Sequence, residues 1–143
     1  NDIEWLKGVI LRFATMKDGT PSHPYMTKVL FLEIFDEESN KFNKPTEFTI
    51  NTVINNNDVK YKYVLDSIVL RDTKKAHFSS YLTCNNTDFS FDGESFSRMS
   101  EFEWKSKINK DVEWKTSEYD TRFNFQRGYQ ILIYYLDEVS KIN

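Results

Sequence analysis

A single cysteine, Cys84, stands in a chain of 143 residues. An internal disulfide and any cysteine-based zinc site within the chain are therefore excluded. Cysteine poverty of this kind fits a reducing, intracellular setting, cytoplasmic or nuclear. Glycine (4) and proline (3) are scarce, and neither a low-complexity linker nor an internal repeat divides the sequence. Residues 1–143 thus read as one domain, or part of one, large enough to bury a core. A basic excess is also lacking, with 19 Lys+Arg against 22 Asp+Glu. That balance gives no case for a nucleic-acid partner, and Lys74-Lys75 and Lys105, Lys107 and Lys110 read as solvated faces. No apolar run approaches the ~20 residues that span a bilayer, and no signal peptide is visible, so no membrane is expected. The chain begins at Asn1 and not at Met, and is read as a processed product or an excised domain with residues upstream. Asn85-Asn86-Thr87 is a formal glycosylation sequon, read as chance without a secretory signal.

What is abundant is aromatic surface. Phe (12) and Tyr (8) help bring the aromatic share to 16%. Large rings bury much area per residue, so packing should be built around them. Trp5, Trp104 and Trp114 are scattered and read as core or interface anchors.

Hydrophobic periodicity orders the elements. Asp2 can cap a first helix whose apolar positions Ile3, Leu6, Ile10 and Phe13 recur every three to four residues. Asp18-Gly19 and residues 21–24, which include His23, form a turn and loop. Residues 25–35 hold the nearly continuous run Val29, Leu30, Phe31, Leu32 and Ile34, the pattern of a strand covered on both faces. A polar loop over 36–44 follows. A strand over 47–54 carries Phe48 and Ile50 on one face, and Asn55-Asn56-Asn57-Asp58 is a turn by composition. A long alternating strand over 59–71, the His77 strand and a strand ending at Asp92 then read as an antiparallel meander with short hairpins. Ser100-Glu101-Phe102-Glu103 resembles a capping box, and Trp104, Ile108 and Val112 share an i, i+4, i+8 stripe, so a second helix is expected to about residue 115. Gly128 opens the strongest strand, residues 129–136, expected at the sheet centre. The fold class is α+β: an antiparallel twisted sheet of five to six strands with an N-terminal helix and this second helix.

Candidate chemistry centres on Ala76-His77-Phe78-Ser79-Ser80-Tyr81-Leu82, with Asp92 fifteen residues after His77 in Phe89-Ser90-Phe91-Asp92-Gly93. Side chains alternate along a strand, so His77, Ser79, Tyr81 and Thr83 share one face, and Phe78, Ser80, Leu82 and Cys84 the other. If Phe78, Leu82, Phe89 and Phe91 form the core, Asp92 emerges on the His77 face. There it can accept the Nδ1–H of His77, fix the tautomer and support the imidazolium formed in general-base catalysis. The competing reading is a half-buried strand histidine beside an exposed turn carboxylate. Cys84 cannot serve as the nucleophile: seven residues along one strand place it on the opposite face, roughly 23 Å away. It reads as a small buried core residue. Ser79, two residues from His77 on the same strand, cannot reach the ring without distortion. The two histidines are distant in sequence and lack a His-x-x-x-His or paired acidic motif, so no metal and no cofactor are expected.

Five segments in order resemble the C-terminal part of the ubiquitin-specific proteases, the papain-like cysteine deubiquitinases. Lys28-Val29-Leu30-Phe31-Leu32-Glu33-Ile34 is similar to that family's hydrophobic strand, and Tyr63-Val64-Leu65-Asp66-Ser67-Ile68-Val69-Leu70 to its Tyr-x-Leu strand. The His77 segment resembles the Gly-His-Tyr-x-x-Tyr box, with Ala76 and Phe78 departing from it. Phe89-Ser90-Phe91-Asp92 resembles the acidic box, and Gly128-Tyr129-Gln130-Ile131-Leu132-Ile133-Tyr134-Tyr135 the terminal strand. The resemblance covers residues 28–136. It implies His77 as base and Asp92 as its orienting carboxylate in thiol-dependent hydrolysis of ubiquitin-type (iso)peptide bonds. The family's N-terminal cysteine box and zinc-binding Cys-x-x-Cys pairs are absent from the sequence. The nucleophile would have to come from an upstream segment or another protein chain, with ubiquitin or a ubiquitin-like protein as partner. The alternatives are a catalytically inactive protease-like domain kept for protein binding or assembly, and an unrelated β-rich binding module.

Overall fold

The computed structural model describes residues 2–17, 26–34, 43–72, 77–92, 99–115 and 122–142. His23, Lys74-Lys75, Ala76, Gly93 and most of the 36–44 loop lie outside these residues. The elements are α1 (Asp2–Lys17), β1 (Val29–Ile34), β2 (Glu47–Ile54), β3 (Asn57–Arg71), β4 (Phe78–Cys84), β5 (Thr87–Phe91), β6 (Ser100–Glu101), a 3-10 turn (Lys105–Lys107), β7 (Trp114–Lys115), β8 (Arg122–Phe123) and β9 (Gln130–Ile142). Among the described residues these give a seven-stranded sheet in the order β1-β9-β3-β4-β5-β6, with β2 also paired to β3, and a separate β7-β8 ribbon. The architecture is a mainly antiparallel sheet with one α-helix. It has more strands than the five to six expected.

Two hairpins set the meander. Ile54 faces Asn57 across the β2–β3 turn, and Cys84 faces Thr87 across the β4–β5 turn. Both two-residue loops are Asn-Asn with positive φ at each position, 51° and 63° at Asn55 and Asn56, and 50° and 64° at Asn85 and Asn86. That is the primed turn whose twist matches antiparallel strands, and Asn tolerates it better than most side chains. The sequon asparagine Asn85 is thereby a turn residue.

The chain divides into two compact units, residues 1–30, 45–65 and 134–143, and residues 31–44 and 66–133. In the first unit α1 buries Leu6, Ile10 and Ala14, an i+4 row. Phe13, expected on that stripe, is turned outward, and Trp5 is exposed rather than a core anchor. Phe48 stacks on Tyr63 at 5.3 Å and meets the edge of Tyr134 at 5.1 Å. These buried tyrosines satisfy their hydroxyls on backbone carbonyls, Tyr63 on Thr27 and Tyr134 on Pro45.

In the second unit the core is Ile68, Leu70, Tyr81, Trp104, Ile108, Phe123, Phe125 and Leu132. Along β3 the buried residues are odd-numbered from Val59 to Leu65 and even-numbered at Ile68 and Leu70, so the parity of the buried positions shifts at Asp66-Ser67. Gly128 takes φ +82°, and a Cβ there would lie 3.2 Å from the Arg71 carbonyl oxygen, which explains glycine at this approach to β9.

Two expectations fail for identifiable reasons. β1 is not covered on both faces: it ends the strand order, and Val29 and Phe31 are exposed. The expected helix after Ser100 is absent. Ser100 pairs with Ser90 in β6, and only Lys105–Lys107 make a helical turn. Trp104 and Ile108 are buried, but Val112 is exposed, so the stripe is not one helix face. Tertiary hydrogen bonds replace helical ones here, with Trp104 Nε1 donating to the Leu82 carbonyl and Asn109 bonding the Lys44 backbone in both directions.

Candidate functional site

His77 and Asp92 meet because the β4–β5 hairpin brings its two open ends together. Ser80 faces Phe91 at the last register pair, so His77 just before β4 and Asp92 just after β5 lie beyond it. The Asp72 N–H donates to the His77 carbonyl oxygen at 2.8 Å, and the Arg122 N–H donates to Asp72 Oδ2, fixing the backbone on the other side. His77 Nε2 and Asp92 Oδ1 stand 2.8 Å apart, with side-chain exposures of only 11% and 8%. Phe123 packs against the imidazole at 6.1 Å between ring centroids.

The pair therefore exists, on the common face that strand alternation required, but two details differ from expectation. Asp92 engages Nε2, not Nδ1. Strand parity fixes the face a ring lies on and says nothing about its rotation, which is set by neighbours such as Phe123. The buried face is also the opposite one. Phe78 and Phe91 are 44% and 41% exposed, whereas Ser79 and Tyr81 are buried. The cause is an aromatic cover supplied by later residues. Phe102, Trp114 and Phe125 surround Tyr81 at 5.8, 5.7 and 5.0 Å.

Cys84 is exposed beside the Asn85-Asn86 turn and not buried as expected. It ends β4, at the strand's far end from His77. Among the described residues no group of three or more His, Cys, Asp or Glu is placed to hold a metal ion, and no helix is long and apolar enough to cross a membrane.

A hydrogen-bonded cluster lies on the same face. The Ser79 hydroxyl donates to Tyr81 Oη at 2.6 Å, and Trp114 Nε1 donates to the same oxygen at 3.2 Å. Burial, with a smaller contribution from the Asp92 charge, raises the Tyr81 phenol above its ordinary range, so it stays a neutral hydroxyl. The shared parity of Ser79 and Tyr81 with His77 was legible in the sequence. No local signal connected Trp114 or Phe123 to the site.

Lys44, assigned to a loop by composition, is buried at 1% exposure, and its Nζ donates to the Phe125 carbonyl oxygen at 3.0 Å. Gln130 Nε2 donates to that same oxygen at 2.9 Å. Burial lowers the Lys44 pKa from 10.5 to about 8.

No protein-family model matches the chain, and no curated protein matches it.

Proposed function

We propose that the chain is the base-bearing part of a papain-like cysteine deubiquitinase domain, with the thiol supplied by a segment or chain outside residues 1–143. The observation that carries this reading is the 2.8 Å contact between His77 Nε2 and Asp92 Oδ1. A carboxylate so placed holds the Nε2–H tautomer and stabilises an imidazolium. Nδ1 is then the nitrogen that takes the thiol proton and later returns it to the leaving amine. The bond broken is an isopeptide or peptide bond after a ubiquitin-like C-terminus, through a thioester that water resolves. The ordered resemblance of residues 28–136 supports this substrate class.

The low exposure of both side chains favours a second reading, a catalytically inactive protease-like domain that binds protein. A ubiquitin carrying a C-terminal electrophile separates the two. Applied to the protein with its upstream residues present, the probe is expected to label a cysteine outside residues 1–143, with His77→Ala abolishing the adduct. Absence of any adduct, with ubiquitin still bound, would establish the inactive binding domain instead.

A further inference from the structure

We infer that Tyr81 is a positioning residue for the His77–Asp92 pair, acting by keeping the Ser79 hydroxyl away from Asp92. The inference deepens the reading of His77 as a base. Ser79 and Asp92 follow one step beyond the Ser80–Phe91 pair, on the buried face that also carries His77. A buried hydroxyl next to a buried carboxylate ordinarily donates to it, because a charge-assisted hydrogen bond is roughly twice as strong as a neutral one. Such a bond to Oδ1 would compete with His77 Nε2 directly, and one to the buried Oδ2 would draw charge from the carboxylate and weaken its hold on the ring.

In the structure the Ser79 hydroxyl instead donates to Tyr81 Oη at 2.6 Å. Tyr81 cannot drift from that contact. Its ring is enclosed by Phe102, Trp114 and Phe125, and Trp114 Nε1 anchors the oxygen from a second direction at 3.2 Å. Burial chiefly raises the Tyr81 phenol, and the Asp92 charge adds a smaller upward shift. The titratable groups on the Asp92 face are His77, just before β4, and Tyr81 on β4. Asp72 and Arg122 join the His77 backbone through the hydrogen bonds Asp72 N–H to His77 O and Arg122 N–H to Asp72 Oδ2.

The test is nitrogen-15 and proton NMR of the His77 ring, which reports the tautomer and the Nε2–H signal whether or not any thiol is present. The wild-type protein is expected to show a single Nε2–H tautomer. In Tyr81→Phe the released Ser79 hydroxyl turns to Asp92, and the ring becomes a mixture of tautomers with the Nε2–H signal lost. Adding Ser79→Ala to that variant removes the competitor and restores the wild-type signature, which repair of a merely structural defect would not do. Ser79→Ala alone leaves the signature unchanged. An unaltered signature in Tyr81→Phe, or no restoration in the double variant, overturns the inference. If Tyr81→Phe does not fold, Ser79→Ala decides alone: loss of the signature there means Ser79 supports Asp92 and the inference is wrong. Failure of electrophile labelling with these NMR outcomes intact would remove the deubiquitinase reading and leave the positioning role of Tyr81 standing.

Discussion

At His77 and Asp92 a single atom decides the outcome of substitution. Asp92→Asn keeps the shape of the side chain and an oxygen that can accept from Nε2–H, so its stability cost should be small, about 1 kcal/mol in chemical denaturation. It removes the charge that supports an imidazolium, so labelling by the ubiquitin electrophile should fall by about a hundredfold or more. Unchanged labelling would show that Asp92 is structural only. Lys44 makes the opposite case, a charge that burial disfavours although its Nζ donates to the Phe125 carbonyl oxygen. Its pKa is lowered from 10.5 to about 8 in the folded chain, so between those values the unfolded state binds more protons and stability rises with pH. Below about 8 the full penalty of burying the ammonium is present. Lys44→Met is therefore expected to stabilise the protein at pH 7 by up to about 2 kcal/mol, the gain shrinking as pH approaches 10. Gln130 Nε2 still satisfies the Phe125 carbonyl in that variant. Urea denaturation at pH 7 and pH 10 gives the comparison, and a gain that grows with pH would contradict the assignment. Neither feature could be weighed from composition, since Lys44 sits in a stretch that reads as a polar loop.

Among the elements, the hairpins were legible and the second helix was not. Asn-rich turns between alternating runs announce a tight reversal, and the positive φ at Asn55, Asn56, Asn85 and Asn86 bears that out. Replacing Asn86 by Gly should raise stability by about 0.5 kcal/mol, because glycine enters the φ +64° position without steric cost. Asn86→Val should lower it by about 1 to 2 kcal/mol, since a branched side chain strains there. Thermal melts of the two variants should bracket the wild type. Gly128→Ala is expected to cost about 1 to 2 kcal/mol, as its Cβ would lie 3.2 Å from Arg71 O at φ +82°. The stripe Trp104, Ile108, Val112 misled because two of its three members are buried for a tertiary reason, as the Trp104 Nε1 bond to Leu82 O shows.

For the whole molecule, the cover over β4 is what distinguishes its two faces. Phe78→Ser and Phe91→Ser should each cost less than about 1 kcal/mol, whereas Tyr81→Ala should cost about 3 to 5 kcal/mol by emptying a site enclosed by rings. Equal costs on the two faces would put the core where the alternation of Phe78, Leu82, Phe89 and Phe91 first suggested it.

Local pattern by itself determined the antiparallel meander, the first helix, and the shared face of His77 and Asp92, whereas the strand expected at the sheet centre, β9, lies beside the edge strand β1. Each follows from short-range rules of helical period, pleat and turn. Only the tertiary structure decided which face of that hairpin is buried, which imidazole nitrogen meets the carboxylate, and that Lys44 is enclosed. The reason is that Phe102, Trp114, Phe123 and Phe125 reach this face from later in the chain. The alternation itself favours the face of Phe78, Leu82, Phe89 and Phe91, since Tyr81 is the one large apolar side chain that β4 and β5 place on the other, and the rings that arrive later override it.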